Sequence, residues 1–205
     1  MKTLVALLTL AGTGAFADEL AGHYVLYGVH EVGSELLLKP DGTFEYMLAY
    51  GAADYSATGK WRREGDAVIL NSVVKNDPPF RLIRSAVVKT QGICVWVKAP
   101  NGGPVPNIEV ALEPSGEKAD QRTDQQGAAR FPDVRSANSV VFGVRVYHLK
   151  AGPYALNPAQ NDFTFEINGE AITTVPFKDE RLKINGKDLE LRYWDENKAM
   201  NYRKE

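Results

Sequence analysis

Three histidines, His23, His30 and His148, and one cysteine, Cys94, are the side chains of this 205-residue chain best suited to metal binding or to nucleophilic and acid–base work. Their spacing argues against each use. No two histidines form an H-x-H or H-E-x-x-H pattern, the arrangements that bring two imidazoles to one ion. His30 and Glu31 are neighbours, and adjacent strand residues point to opposite faces. His148 ends an alternating run, Val140, Phe142, Val144 and Val146, and reads as a polar strand end. No G-x-S-x-G elbow is present. Asn101-Gly102-Gly103 lacks the lysine and following helix that a phosphate loop needs. Asp120 and Asp124 have too few acidic neighbours for the roughly six to eight oxygens that calcium takes. Asp179-Glu180 and Asp195-Glu196 fall in polar connections and read as solvated. The sequence predicts no catalytic residue, no cofactor site and no metal site, and hence no enzyme.

Cys94 lies in Ile93-Cys94-Val95-Trp96-Val97, where it shares a strand face with Trp96. A lone cysteine cannot close an internal disulfide, so the expectation is a buried, inert thiol, with an intermolecular disulfide as the alternative. Aromatics crowd the first third of the chain. They read either as core or as an exposed face in which Tyr24, Tyr27, Tyr46, Tyr50, Tyr55 and Trp61 bind a protein, peptide or glycan.

The elements around these residues are strands. Thr43 to Tyr50 alternates with period two, placing Phe44, Tyr46, Leu48 and Tyr50 on one face. Pro40-Asp41-Gly42 and Glu64-Gly65-Asp66 are turn signals between strands. Asn76-Asp77-Pro78-Pro79 punctuates the chain, Gln91 to Lys98 begins a second run of strands, and Ser139 to His148 reads as the longest alternating strand. Asn168-Gly169 and Asn185-Gly186, each between short apolar flanks, predict two hairpins. The fold class is all-β. A hydrophobic fraction of 44% supplies real cores. The net charge of −2, without a basic stripe, excludes a nucleic-acid partner. No basic amphipathic helix points to a membrane surface.

Lys2, the apolar Leu4 to Leu10 and Ala15-Phe16-Ala17 have the layout of a secretory leader over residues 1–17. The apolar run is too short to span a bilayer, so no membrane insertion follows its cleavage. The protein is expected to be exported, and periplasmic if the source is Gram-negative.

Gly102-Gly103-Pro104-Val105-Pro106-Asn107-Ile108-Glu109-Val110 and Thr123-Asp124…Gly127…Phe131 resemble a carboxypeptidase regulatory-like domain, the transthyretin-like β-sandwich, over residues 88–167. The resemblance implies an accessory or binding module without catalytic residues, in which Asp124 forms a turn. Gly22-His23-Tyr24, Pro40-Asp41-Gly42-Thr43-Phe44 and Gly59-Lys60-Trp61 resemble small lipocalin-like domains. The expected organisation is a leader (1–17), a lipocalin-like module (18–86), a sandwich (87–168) and C-terminal hairpins (169–205) packing back on the first module. The expected function is that of a non-enzymatic exported binding protein, the alternative being a lipocalin-like carrier of a small apolar ligand.

Overall fold

A computed structural model describes residues 19–113, 119–195 and 197–205. The expected leader over residues 1–17 lies outside them, as does Glu196. Strands are the dominant regular structure of the described residues, and the class is all-β. In chain order the strands are β1 (Gly22–Tyr27), β2 (Val32–Leu38), β3 (Thr43–Tyr50), β4 (Ala53–Glu64), β5 (Ala67–Ser72), β6 (Phe80–Ala86), β7 (Ile93–Lys98) and β8 (Glu109–Leu112). They continue with β9 (Ala119–Arg122), β10 (Ala128–Phe131), β11 (Ser139–Val144), β12 (Leu149–Ala155) and β13 (Asp162–Ile167). A short helix, α1 (Gly169–Thr173), precedes β14 (Glu180–Asn185), β15 (Asp188–Leu191) and β16 (Met200–Lys204). Two compact units result, one of residues up to Val74 together with Val175–Glu205, the other of Lys75–Thr174.

The first unit is a closed barrel of eight strands in the order β1-β16-β15-β14-β5-β4-β3-β2. Strands from the two ends of the chain meet where Tyr24 pairs with Lys204 and where Leu182 pairs with Val68. Alternation fixes what faces inward. Ser34, Leu36 and Leu38 of β2, Phe44, Tyr46 and Leu48 of β3, and Ala57 and Trp61 of β4 are all buried. Gly59 lies between those last two because nothing larger fits. A Cβ there would stand 2.0 Å from the Asn71 carbonyl oxygen and 2.8 Å from the Phe44 ring. Tyr24, Leu182, Leu189, Leu191 and Tyr202 complete the interior.

The barrel wall is completed by a segment that is not itself a strand. β5 pairs only with the Gly59–Glu64 half of β4. Beside the other half, the Val175 amide donates to the Ser56 carbonyl and the Ser72 amide to the Phe177 carbonyl, each at 2.8 Å. Val175 and Phe177 are buried in the core, with the Phe177 ring edge-on to Tyr46 at 5.1 Å. Polar groups inside are satisfied. The Tyr24 hydroxyl donates to the Leu20 carbonyl, the Trp61 indole to the Lys39 carbonyl, and Ser34 Oγ lies 2.8 Å from the Tyr202 hydroxyl. Burial pushes the Tyr24 phenol up to about 12 and Tyr202 higher still.

On the barrel exterior, His23 sits between Glu205 at 2.8 Å and Glu35 at 2.9 Å. The two hydrogen-bonded carboxylates raise its pKa above the ordinary 6.5. A raised folded pKa means the proton is held more tightly in the folded protein. The resulting stabilisation is complete below pH 6.5 and disappears as pH rises through the folded value. His23→Gln should therefore cost stability at pH 5.5 and little at pH 8.5 in denaturant titrations. An equal cost at both pH values would show that the pairing does not form.

The second unit is a sandwich of two four-stranded sheets, β10-β7-β13-β6 and β12-β11-β8-β9. All pairings are antiparallel except β7 with β13. Phe80 and Phe142 stack between the sheets with centroids 4.2 Å apart, and Phe165 meets Phe142 edge-on at 4.8 Å. Val95, Val97, Val110, Leu112, Val140 and Phe163 fill the same core.

Three sequence expectations are corrected. The units divide after Val74 and after Thr174, not after residues 86 and 168, because β6 pairs with β13 of the sandwich. Pro78-Pro79 therefore punctuates the entry to β6 within the second unit. The run Ser139 to His148 breaks after Val144 into a 3₁₀ turn, with Val146 exposed and His148 at a left-handed φ of 50°. β4, at 12 residues, is longer than β11. Finally, Asn168-Gly169 starts no hairpin. The Asn168 side chain accepts the Ala171 amide and caps α1, since asparagine suits an N-cap as well as a turn. Asn185-Gly186 does join β14 to β15.

Candidate functional site

The six aromatics proposed from sequence as a binding face do not share a surface. Tyr24, Tyr46 and Trp61 lie inside the barrel because they occupy inward positions of alternating strands. Tyr55 is half-buried on the same inward face of β4, with its ring 4.8 Å from Trp194. The Trp194 indole donates to the Tyr46 hydroxyl at 3.0 Å, tying that aromatic group together. Only Tyr27, under the Arg203 guanidinium, and Tyr50 are exposed. The core reading of these rings is the one the geometry supports.

A different aromatic faces outward. In β7, Ile93, Val95 and Val97 point into the sandwich, which turns Cys94, Trp96 and Lys98 to the outer face. Cys94 is only 7% exposed, and burial pushes its thiol up to about 11. Such a thiol is a poor nucleophile and a poor partner for an intermolecular disulfide.

Trp96 is held from two sides. Its indole N–H donates to Asp162 Oδ2 at 2.9 Å, and Arg84 Nη1 donates to Asp162 Oδ1 at 2.5 Å. Asp162 is 7% exposed, so a buried carboxylate with both oxygens engaged fixes the ring and the guanidinium together. The Arg130 guanidinium lies 5.4 Å from the Trp96 centroid and is itself paired with Asp124. Asp124 is the turn-former expected from sequence: its Oδ1 accepts the Gln126 and Ala128 amides at 2.9 and 3.0 Å. Those bonds, the Ala128 one foremost, and Arg130 hold its carboxyl below the usual carboxylate range.

Beside this ring opens a groove of about 460 Å³. Trp96, Lys98, Thr164, Arg84 and the Gln125-Gln126 turn supply its chemistry, with Gly102 and Pro104 forming a low wall. No family model, no curated protein and no solved structure matches this chain. The site therefore stands on its own geometry.

A larger concavity of about 590 Å³ lies on the other sheet, around Ala111, Val141 and Gly143. Glu109 there takes both Arg122 and Arg145, and Asp120 and Lys150 add one charge of each sign to the lining. Phe142, between Val141 and Gly143 on the same strand, turns its ring into the sandwich core, so this surface presents no exposed aromatic ring. Among the described residues no group of three or more His, Cys, Asp or Glu could hold a metal ion. No described helix is long and apolar enough to cross a membrane.

The Trp96 groove was within reach of sequence reasoning. A tryptophan on the outward side of a strand whose inward side is wholly aliphatic is the signal, and Ile93 to Lys98 carries it.

Proposed function

We propose that this is a non-enzymatic exported binding protein whose ligand site is the Trp96 groove of the sandwich, with the barrel as a filled structural unit. The observation that carries the reading is the preset Trp96: a half-buried ring on an outer sheet face, oriented by a buried carboxylate at the edge of a concave surface. Tryptophan combines a large apolar contact area with few rotatable bonds, which suits it to recognition. The resemblance of residues 88–167 to carboxypeptidase regulatory-like domains agrees with an accessory role, and the leader-like start agrees with export. The lipocalin-like carrier is the less favoured reading, because Tyr24, Phe44, Leu38, Leu70 and Tyr202 have almost no accessible surface inside the barrel.

Amide and indole NMR with a panel of neutral glycans, acidic glycans, peptides and fatty acids tests the two readings. Binding at the proposed site should shift the Trp96 indole and the Gln126 amide while leaving Trp61 unmoved. If a fatty acid instead shifts Trp61 and Tyr202, the carrier reading replaces this one.

A further inference from the structure

We infer that the Trp96 groove takes a saccharide bearing a carboxylate, a uronate-type sugar, with Trp96 as the stacking platform and Lys98 as the charge that selects the acid. The inference rests on the reading of this groove as a binding site and names the class of ligand.

Charge accounting points to an anion. On the outer face of the sheet containing β7, three of the four cations are already spent. Arg84 is bonded to Asp162, Arg81 to Glu166, and Arg130 to Asp124. Lys98 lines the groove and has no ion-pair partner among the described residues. One uncompensated cation beside an aromatic ring fits one carboxylate on each repeating unit of a ligand, rather than a polyphosphate, which calls for several cations at once.

The remaining lining fits a sugar better than a peptide or an apolar molecule. A pyranose presents a patch of C–H groups to a ring and a rim of hydroxyls to polar partners. Trp96 offers the ring, and the side-chain amides of Gln125 and Gln126 offer donors and acceptors for the hydroxyls. The Thr164 hydroxyl, on the strand paired with β7, adds a further group of both kinds. A peptide docking here by strand addition would need a free strand edge. β7 has none, being paired on both sides by β10 and β13. Side-chain recognition on a closed sheet face is what remains.

The ring is also prevented from turning away. Rotation about the Trp96 side chain would break the 2.9 Å bond to Asp162, leaving a buried carboxylate oxygen unpaired. The platform is thus preorganised, and a ligand does not have to order it.

The test is calorimetric titration of the full chain with tetragalacturonate and with neutral galactotetraose, supported by NMR of the Trp96 indole. Tetragalacturonate should bind roughly tenfold tighter, the size expected of one charge-assisted contact at a surface, and the advantage should shrink with added salt. Lys98→Gln should bring tetragalacturonate affinity down to that of the neutral sugar for the same variant, and Trp96→Ala should abolish binding of both. Trp96→Phe, which keeps a ring, separates loss of the platform from loss of folding, and should retain weakened binding. Equal affinity for the acidic and neutral sugars overturns the uronate inference and leaves the binding site standing. Binding of peptides alone, with the same indole shift, does likewise. If no glycan or peptide shifts the indole or the Gln126 amide, the binding-site reading itself falls.

Discussion

A chain ending at Thr174 is expected to keep a folded sandwich and to lose the barrel completely. That truncation removes β14, β15 and β16, three of the eight barrel strands, and leaves β1 and β5 with open edges. It also strips Val175, Phe177, Leu182, Leu189, Leu191 and Tyr202 from one core. Burying a large apolar side chain contributes about 1.5–3 kcal/mol. The combined loss is as large as the roughly 5–15 kcal/mol by which a whole domain is normally stable. The sandwich should survive, because its core residues all lie between Lys75 and Thr174. Amide spectra of the truncated protein should show dispersed resonances for Val95, Phe142 and Phe165 and collapsed ones for Leu36, Phe44 and Val68. Persisting dispersion in the latter set would mean that the first five strands close without the tail.

Replacing Gly127 by valine should be among the most damaging single changes in the sandwich. Gly127 follows the Asp124 turn at φ +76°, a conformation that is costly for a β-branched residue. A Cβ at this position would stand 2.5 Å from the Val97 carbonyl oxygen and 3.0 Å from the Val105 amide nitrogen. Both obstacles are backbone and cannot swing aside. The Gly127 carbonyl also accepts the Val97 amide at 2.8 Å, so relaxation of the turn breaks a rung beside Trp96. Strain and overpacking together should cost about 3 kcal/mol. Chemical denaturation monitored through Trp96 measures the loss, and an unchanged midpoint would contradict the turn geometry.

Local signals in the sequence were reliable wherever one chemical cause acted alone. The alternation of Thr43 to Tyr50 places Phe44, Tyr46 and Leu48 inward, and only Tyr50, at the strand end, escapes. Asp41 and Gly42 form the turn before β3, with the Thr43 amide donating to Asp41 Oδ1 at 2.9 Å. Signals with two outlets were ambiguous. Asparagine followed by glycine makes a hairpin at Asn185 and a helix cap at Asn168, and the choice depends on whether a partner strand is present. The position of β6 was hidden because its outer and edge residues, among them Arg81, Ile83 and Arg84, are exposed, which blurs the period of two. The outward Trp96 is legible in Ile93 to Lys98, but the Asp162 that fixes its ring comes from 66 residues away and is not.

The sandwich interrupts the barrel between Val74 and Val175, so an order of events is written into the chain. During synthesis β1 to β5 emerge first, but the outer edges of β1 and β5 have no partner until β16 and β14 arrive. Joining Ser72 to Val175 across about 100 unstructured residues would cost on the order of 4 kcal/mol in loop-closure entropy. A sandwich that has already folded removes most of that penalty, because the intervening chain is then no longer a floppy loop. The inserted unit thus works as an intramolecular folding aid, and slowing its folding should delay barrel closure even when no contact in the barrel has changed.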